Sequence, residues 1–177
     1  MNNVTTIGHN AFTYCHNLVN IHMNSVTSIG NYAFQGCSSL TSVSINSVTS
    51  LEYGAFRDCY NLRDVSMNSV TSIGGAAFRY CGNLVSVTLP ASLSSIGNQA
   101  FMDCNKLVSV TFASSTITAS SWGYSPFGEW PSCCVDGSTY YLRSGCTSRS
   151  SHCAYCPDKI IGAVNCTADV APLLDPS

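Results

Sequence analysis

Charged side chains are scarce in this sequence. The 177 residues include 7 Lys and Arg and 9 Asp and Glu, together 9% of the chain, against about 25% in an average globular protein. The formal net charge of −2 offers no electrostatic attraction for nucleic acid or an anionic membrane surface, so we expect neither as a partner. Because 45% of the residues are hydrophobic, the composition is the opposite of that of a disordered chain and predicts a folded domain with a core.

Several other signals are also missing. No apolar run reaches the roughly 18 residues of a membrane-spanning helix, so we expect no membrane span. Residues 1–5 carry neither a basic stretch nor an apolar segment, which predicts that no signal peptide is present. The four His residues lack companions at the spacing of a catalytic triad, and no phosphate-binding glycine loop or His-Glu-x-x-His motif occurs. We therefore expect a protein that is not an enzyme and needs no cofactor or metal.

A repeat of 22 to 23 residues runs through the first two thirds of the chain. Each unit has an Ala-Phe pair, a Cys three residues after the Phe, a Leu three residues after the Cys, and then an alternating aliphatic run. A unit this short cannot bury its own apolar face, but stacked units share one core. The repeated Phe residues are Phe12, Phe34, Phe56, Phe78 and Phe101.

The repeat predicts a solenoid. The alternating run has the period of a half-buried strand, so successive units add parallel strands to one sheet. The opposite arc, around Ala-Phe, has no sustained helical period, and we expect turns with short helical or 3₁₀ segments there. The domains predicted are five repeats over residues 1–115, a degenerate sixth repeat with a closing strand over 116–142, and a Cys-rich cap over 143–177.

The recurring unit, Ile-Gly-x-x-Ala-Phe-x-x-Cys-x-x-Leu-x-x-Val-x-Leu, resembles the BspA-like leucine-rich-repeat family over residues 4–115. The resemblance implies a solenoid for adhesion or protein–protein contact, on cell-surface or secreted proteins, with no catalytic residues. It also implies ligand binding on the outward side of the strands, although a merely solvated sheet face is an equal alternative. The outward positions are Asn20, His22, Ser42, Ser44, Asp64, Ser66, Ser86, Thr88, Ser109 and Thr111.

The 11 Cys residues form two groups. One Cys per repeat, in a constant register, predicts a row of buried free thiols, because unpaired Cys behaves as a small hydrophobe: Cys15, Cys37, Cys59, Cys81 and Cys104. The other six predict three disulfides in a segment too short for its own core, and hence an oxidising compartment, either extracellular or an organelle lumen. Zinc bound through Cys153 and Cys156, with either His152 or Cys133 and Cys134, is the rival interpretation. These six are Cys133, Cys134, Cys146, Cys153, Cys156 and Cys166.

Aromatic residues mark the joint between repeats and tail. Trp122, Tyr124, Phe127 and Trp130 either plug the end of the core or form a binding patch for a glycan or a protein. Ser138–Leu142 has the composition of a strand that extends the sheet or closes a hairpin.

Two further features bear on partners and compartment. The first repeat has no unit before it, which predicts an interface, or a sequence that continues upstream. Asn3 and Asn165 lie in glycosylation sequons. The leading hypothesis is a non-enzymatic protein-interaction or adhesion module, and the alternative is a structural subunit held in a larger assembly through its first repeat.

Overall fold

The structure, a computed structural model, describes residues 3–113, 123–127, 132–134 and 139–142. The chain winds as a solenoid, and each coil is numbered here by its Phe, from the first coil with Phe12 to the fifth with Phe101. The strands are β1 Thr6–Ile7, β2 Ser28–Ile29, β3 Ser42–Ser44, β4 Ser50–Leu51, β5 Asp64–Ser66, β6 Ser72–Ile73, β7 Ser86–Leu89, β8 Ser95–Ile96, β9 Ser109–Phe112, β10 Ser132–Cys134 and β11 Thr139–Leu142.

The predicted parallel sheet forms on one side of the solenoid and is interrupted. β3 pairs with β5, and β7 pairs with β9, in both cases parallel and in the register of the repeat. The first coil contributes only a single bridge, His22 to Ser44, in place of a full strand. At the other end β11 pairs antiparallel with β9 and β10 with β11, so this strand both extends the sheet and closes a hairpin.

A second parallel sheet, in the order β1-β2-β4-β6-β8, was not predicted. Each of its strands has two residues, a Ser or Thr that points outward and an Ile or Leu that points into the core. Two residues are too few for an alternating pattern to be recognised in the sequence. The hydroxyls of Thr27, Thr49 and Thr71 also donate to the Thr carbonyl of the preceding coil, at 2.9–3.2 Å, and so add side-chain bonds between coils.

The short helical segments expected around Ala-Phe are absent from the described residues, so that prediction is wrong. Each coil has two residues with left-handed backbone in this arc, such as Asn10 (φ 57°) and Tyr14 (φ 58°) in the first coil. Alternate amides of the arc point along the solenoid instead: the Phe12 amide donates to the Ala33 carbonyl at 2.7 Å. A helix would need those amides for bonds within its own turn.

The core is a column of identical side chains. The Phe rings of successive coils stack at centroid distances of 5.1–5.5 Å, with interplanar angles of 11° or less. Phe127 continues the column, 5.3 Å from Phe101, and the Pro126 carbonyl accepts from the Phe101 amide at 2.7 Å. Pro126 and Phe127 therefore take the place of Ala-Phe in a further coil.

Candidate binding face

The outward side chains of the strands form one polar surface, which we call the strand face. Eight of its ten predicted members are exposed, and Ser109 and Thr111 are half-buried. Side chains pointing the other way from the same strands, such as Val43 and Val87, are buried in the core. The face therefore presents its polar groups from a rigid scaffold. Its exposed members are Asn20, His22, Ser42, Ser44, Asp64, Ser66, Ser86 and Thr88.

Part of this face is ordered by its own hydrogen bonds. Asn46, which follows β3, donates from Nδ2 to the Ser44 hydroxyl at 3.1 Å and accepts at Oδ1 from the Ser66 hydroxyl at 2.8 Å. The side chains of two neighbouring coils are thereby fixed relative to each other. Fixed polar groups lose little conformational entropy when a ligand binds.

The face also has a shallow depression of about 320 Å³. The residues that line it include Ser42, Asp64, Val65, Ser86 and Thr88. Asp64 is the one acidic residue among the ten members of the face. The arrangement suits recognition through hydroxyl and backbone groups and one carboxylate.

The thiols of the repeats are structural groups. Cys37, Cys59, Cys81 and Cys104 are free and buried, and each Sγ donates to the Phe carbonyl of the preceding coil at 3.1–3.3 Å. Burial raises the pKa of Cys37 from its ordinary value of 9.0 to about 11 and that of Cys104 to about 12. It also raises the pKa of Cys59 and Cys81. These thiols are protonated at neutral pH, which removes the nucleophilic thiolate form.

Cys15 departs from the prediction of five buried thiols, because it is exposed. Its counterpart Cys37 donates to the Phe12 carbonyl of the coil before it. In the described residues no coil packs against the outer side of the first coil, so Cys15 has no such carbonyl to meet. The residue type follows the repeat, whereas its burial depends on the neighbouring coil.

The remaining predicted sites are only partly described. Tyr124 is 72% exposed, its amide donates to Asn98 Oδ1 at 2.7 Å, and Asn3 is exposed. The backbone of Cys133 and Cys134 lies in β10. The disulfide and zinc predictions, and those for the other tail residues, lie outside the part of the chain that the structure describes. The groups not described are the side chains of Cys133 and Cys134, and the residues Trp122, Trp130, Cys146, His152, Cys153, Cys156, Asn165 and Cys166.

An arginine–tyrosine cluster on the turn side was missed by the sequence reasoning. The Arg79 guanidinium lies 4.7 Å from the centre of the Tyr80 ring and donates to its hydroxyl at 3.0 Å. Ion pairs join Arg79 to Asp103 and Arg57 to Asp58, each at 3.4 Å. The available signal was the residue after each repeat Phe, which is Arg in two adjacent coils.

The sequence matches six copies of the BspA type leucine rich repeat region, over residues 1–108 and 71–155. The chain belongs to the BspA-type leucine-rich-repeat family. This result confirms the resemblance found in the repeat unit, and the parallel coils confirm the predicted solenoid. No curated protein matches the chain.

Two solved structures of bacterial leucine-rich-repeat proteins are similar to this solenoid. A leucine rich cell surface protein from Faecalibacterium prausnitzii A2-165 is 34% identical with a TM-score of 0.59, and the match covers 75% of this chain and 32% of that one. A leucine-rich repeat protein from Bacteroides ovatus ATCC 8483 is 32% identical with a TM-score of 0.55, and covers 61% of this chain and 28% of its own. This chain thus spans about a third of the length of these neighbours.

Two further findings concern the described part of the chain. It contains no helix with the length and apolarity needed to cross a membrane. It also contains no group of three His, Cys, Asp or Glu side chains arranged to hold a metal ion.

Proposed function

We propose that this leucine-rich-repeat protein is a non-enzymatic protein-interaction or adhesion module that contacts a protein partner through its strand face. The observation that carries the proposal is the strand face itself, with eight exposed polar side chains held on one buried core. Such a scaffold presents a preorganised surface at small entropic cost.

The compartment is part of the same proposal. The Faecalibacterium neighbour is described as a cell surface protein, and family membership supports a similar location here. We propose an extracellular or cell-surface location, with an oxidising organelle lumen as the alternative. The predicted tail disulfides and the sequon at Asn3 agree with both compartments.

Bulky substitutions on the strand face test the proposal directly. Ser42→Tyr and Ser86→Tyr place large side chains on exposed strand positions that accept aromatic residues. The purified chain is screened against an array of purified secreted and cell-surface proteins, and dissociation constants are measured by interferometry. We expect each variant to weaken binding at least about tenfold, the loss that accompanies about 1.4 kcal/mol.

Asn105→Tyr is the matched control, because Asn105 is exposed on the turn side at the repeat position that Tyr60 occupies in the third coil. This variant should bind as the parent does. If Ser42→Tyr and Ser86→Tyr bind the partner as tightly as Asn105→Tyr does, the strand face is refuted as the contact surface. An array on which the parent chain binds nothing would refute it as well.

The structural-subunit alternative is favoured by the first coil. Cys15 is exposed, Phe12 and Leu18 are only half-buried, and Gly8 has open space where its counterpart Gly30 meets the preceding coil. A partner that presents a repeat coil fits this surface. Sedimentation should then show a complex in which Cys15 is protected from alkylation, whereas a monomer with a reactive Cys15 at all concentrations would count against it.

A further inference from the structure

The pairing of strands on the strand face is broken between the third and fourth coils. β3 and β5 form one sheet, and β7 belongs to another with β9, β11 and β10. β5 and β7 are consecutive rungs of the same repeat, yet no ladder joins them. Backbone donors and acceptors along this line therefore lack the strand partner that they have between β3 and β5 and between β7 and β9.

The break opens the core slightly. Val65, the inward residue of β5, is half-buried, whereas Val43 in the rung before it and Val87 in the rung after it are 4% and 3% exposed. The depression of about 320 Å³ spans β3, β5 and β7 and so includes the break, and a second one of about 390 Å³ shares Val65, Ser66 and Thr88 with it. The second depression continues from the break to the corner at Asn68 and Pro90.

The corners that follow the two strands beside the break differ from the other corners of the repeat. The corner after β7 departs from the repeat, because Pro90 stands at the position of the Asn and one residue is inserted. The corner after β5 is also looser: turn bonds close the corners at Val26, Val48 and Leu93, and no such bond is formed at Val70.

The carboxylate of Asp64 favours a cationic ligand at the break. Asp64 lies on its rim, exposed, and its carboxylate forms no hydrogen bond or ion pair in the described part of the chain. Arg63, its exposed neighbour along the chain, does not pair with it: the ion pairs among the described residues are Arg57–Asp58 and Arg79–Asp103. The other polar side chains that line the depression carry hydroxyls, and the face has no other acidic residue that would compete for a cation.

From these observations we infer that the break between β5 and β7 is the central contact site of the strand face, and that it receives a lysine- or arginine-bearing segment of the partner protein. The cationic side chain pairs with Asp64. The peptide groups of the segment bond to the hydroxyls and to the unpaired backbone groups along the break. This inference rests on the proposed function, since it names the partner chemistry for the same face.

A pair of short peptides tests the inference. The probe is an acetylated, amidated Gly-Ser-Lys-Ser-Gly peptide, and its control carries norleucine in place of lysine, which keeps the stem and removes the charge. Amide resonances of the full chain are followed by NMR. We expect saturable shifts at residues 64–66 and 86–88 with the lysine peptide, and no saturable shifts with the norleucine peptide.

Two matched variants complete the test. Asp64→Asn should weaken the lysine peptide about three- to fivefold, the size of an exposed ion pair. Glu52→Gln removes the same charge from an exposed residue outside the strand face and should leave the affinity unchanged. The inference is overturned if the lysine peptide causes no saturable shifts, if the norleucine peptide binds equally, or if Asp64→Asn has no effect.

The inference and the proposed function can fail separately. If Ser42→Tyr and Ser86→Tyr abolish binding of the array partner while Asp64→Asn leaves it unchanged, the strand face is the contact surface and the cationic contact is wrong. If the Tyr variants bind the partner normally, the proposed function itself fails, whatever the peptides show.

Discussion

The first coil and the coils behind it have the same residue pattern in different surroundings. Phe12 stacks on one neighbouring ring and is half-buried, whereas Phe34 stacks between two rings and is completely buried. Cys15 is exposed, whereas Cys37 is buried and bonded to the coil before it. The two members of each pair have the same residue type and the same repeat position. Their different burial therefore comes from the coils packed against them.

The largest difference is expected for the stacked rings. Phe56→Ala in the third coil removes a fully buried side chain and should cost about 3–5 kcal/mol of unfolding free energy, whereas Phe12→Ala should cost about half as much or less. Urea unfolding followed by circular dichroism measures both. Equal losses at the two positions would contradict the comparison, since they would mean that stacking on the second face adds nothing. Phe→Leu at each position is the control for the loss of the ring.

A smaller difference is expected for the glycines that follow the aliphatic residue of β1 and β8. A Cβ added at Gly97 would lie 2.6 Å from the Gly74 carbonyl carbon, whereas one added at Gly8 meets nothing within 4 Å. Gly97→Ala should therefore destabilise by about 1–3 kcal/mol, and Gly8→Ala should stabilise by about 0.5 kcal/mol through the unfolded chain. Thermal and urea unfolding are the measurements.

Glu52 occupies the same repeat position in the third coil. A residue with a Cβ is therefore present at this position in one coil, which makes the result for Gly97→Ala more informative. A loss near zero for Gly97→Ala would show that neighbouring coils shift to admit a Cβ. The close approach of backbones would then not be the reason for glycine at this position.

The smallest effect on stability is expected at Cys15. Cys15→Ser should change the unfolding free energy by less than about 0.5 kcal/mol, as for an exposed site. Its reactivity should differ greatly, because burial raises the pKa of the other four repeat thiols and shields them. Iodoacetamide at pH 8 should label Cys15 at least tenfold faster than Cys59, read by peptide mass spectrometry. Equal labelling rates for Cys15 and Cys59 in the native protein would be incompatible with this structure. The control is labelling in denaturant, which should make the two rates equal.

Much of the fold could be predicted because the same residue pattern occurs in five successive units. Aligning these units is enough to identify the column of Phe residues and the alternating strands. The two-residue strands such as Thr6–Ile7 and the absence of helix could not be predicted, because they depend on hydrogen bonds between coils. The amide of Phe12, for example, bonds to the carbonyl of Ala33, 21 positions along the chain.

The strand face could be predicted in part. Alternation alone identified its ten outward residues, since side chains of a strand point to opposite sides in turn. The break beside Asp64 could not be predicted, because β5 has the ordinary repeat pattern and only its pairing with β7 is lost. Pro90 and the inserted residue are visible in the sequence, but they do not indicate which neighbouring strands pair.

The sequence by itself determined the repeat, its family, the order of side chains around each coil and the scarcity of charge. Those properties are local, since each coil needs the same apolar, small and turn-forming residues at the same positions. The tertiary structure alone decided which Cys is exposed, where two parallel sheets form and where one of them opens. Burial, pairing and close approach are relations between coils, and identical residues acquire different environments according to what packs against them.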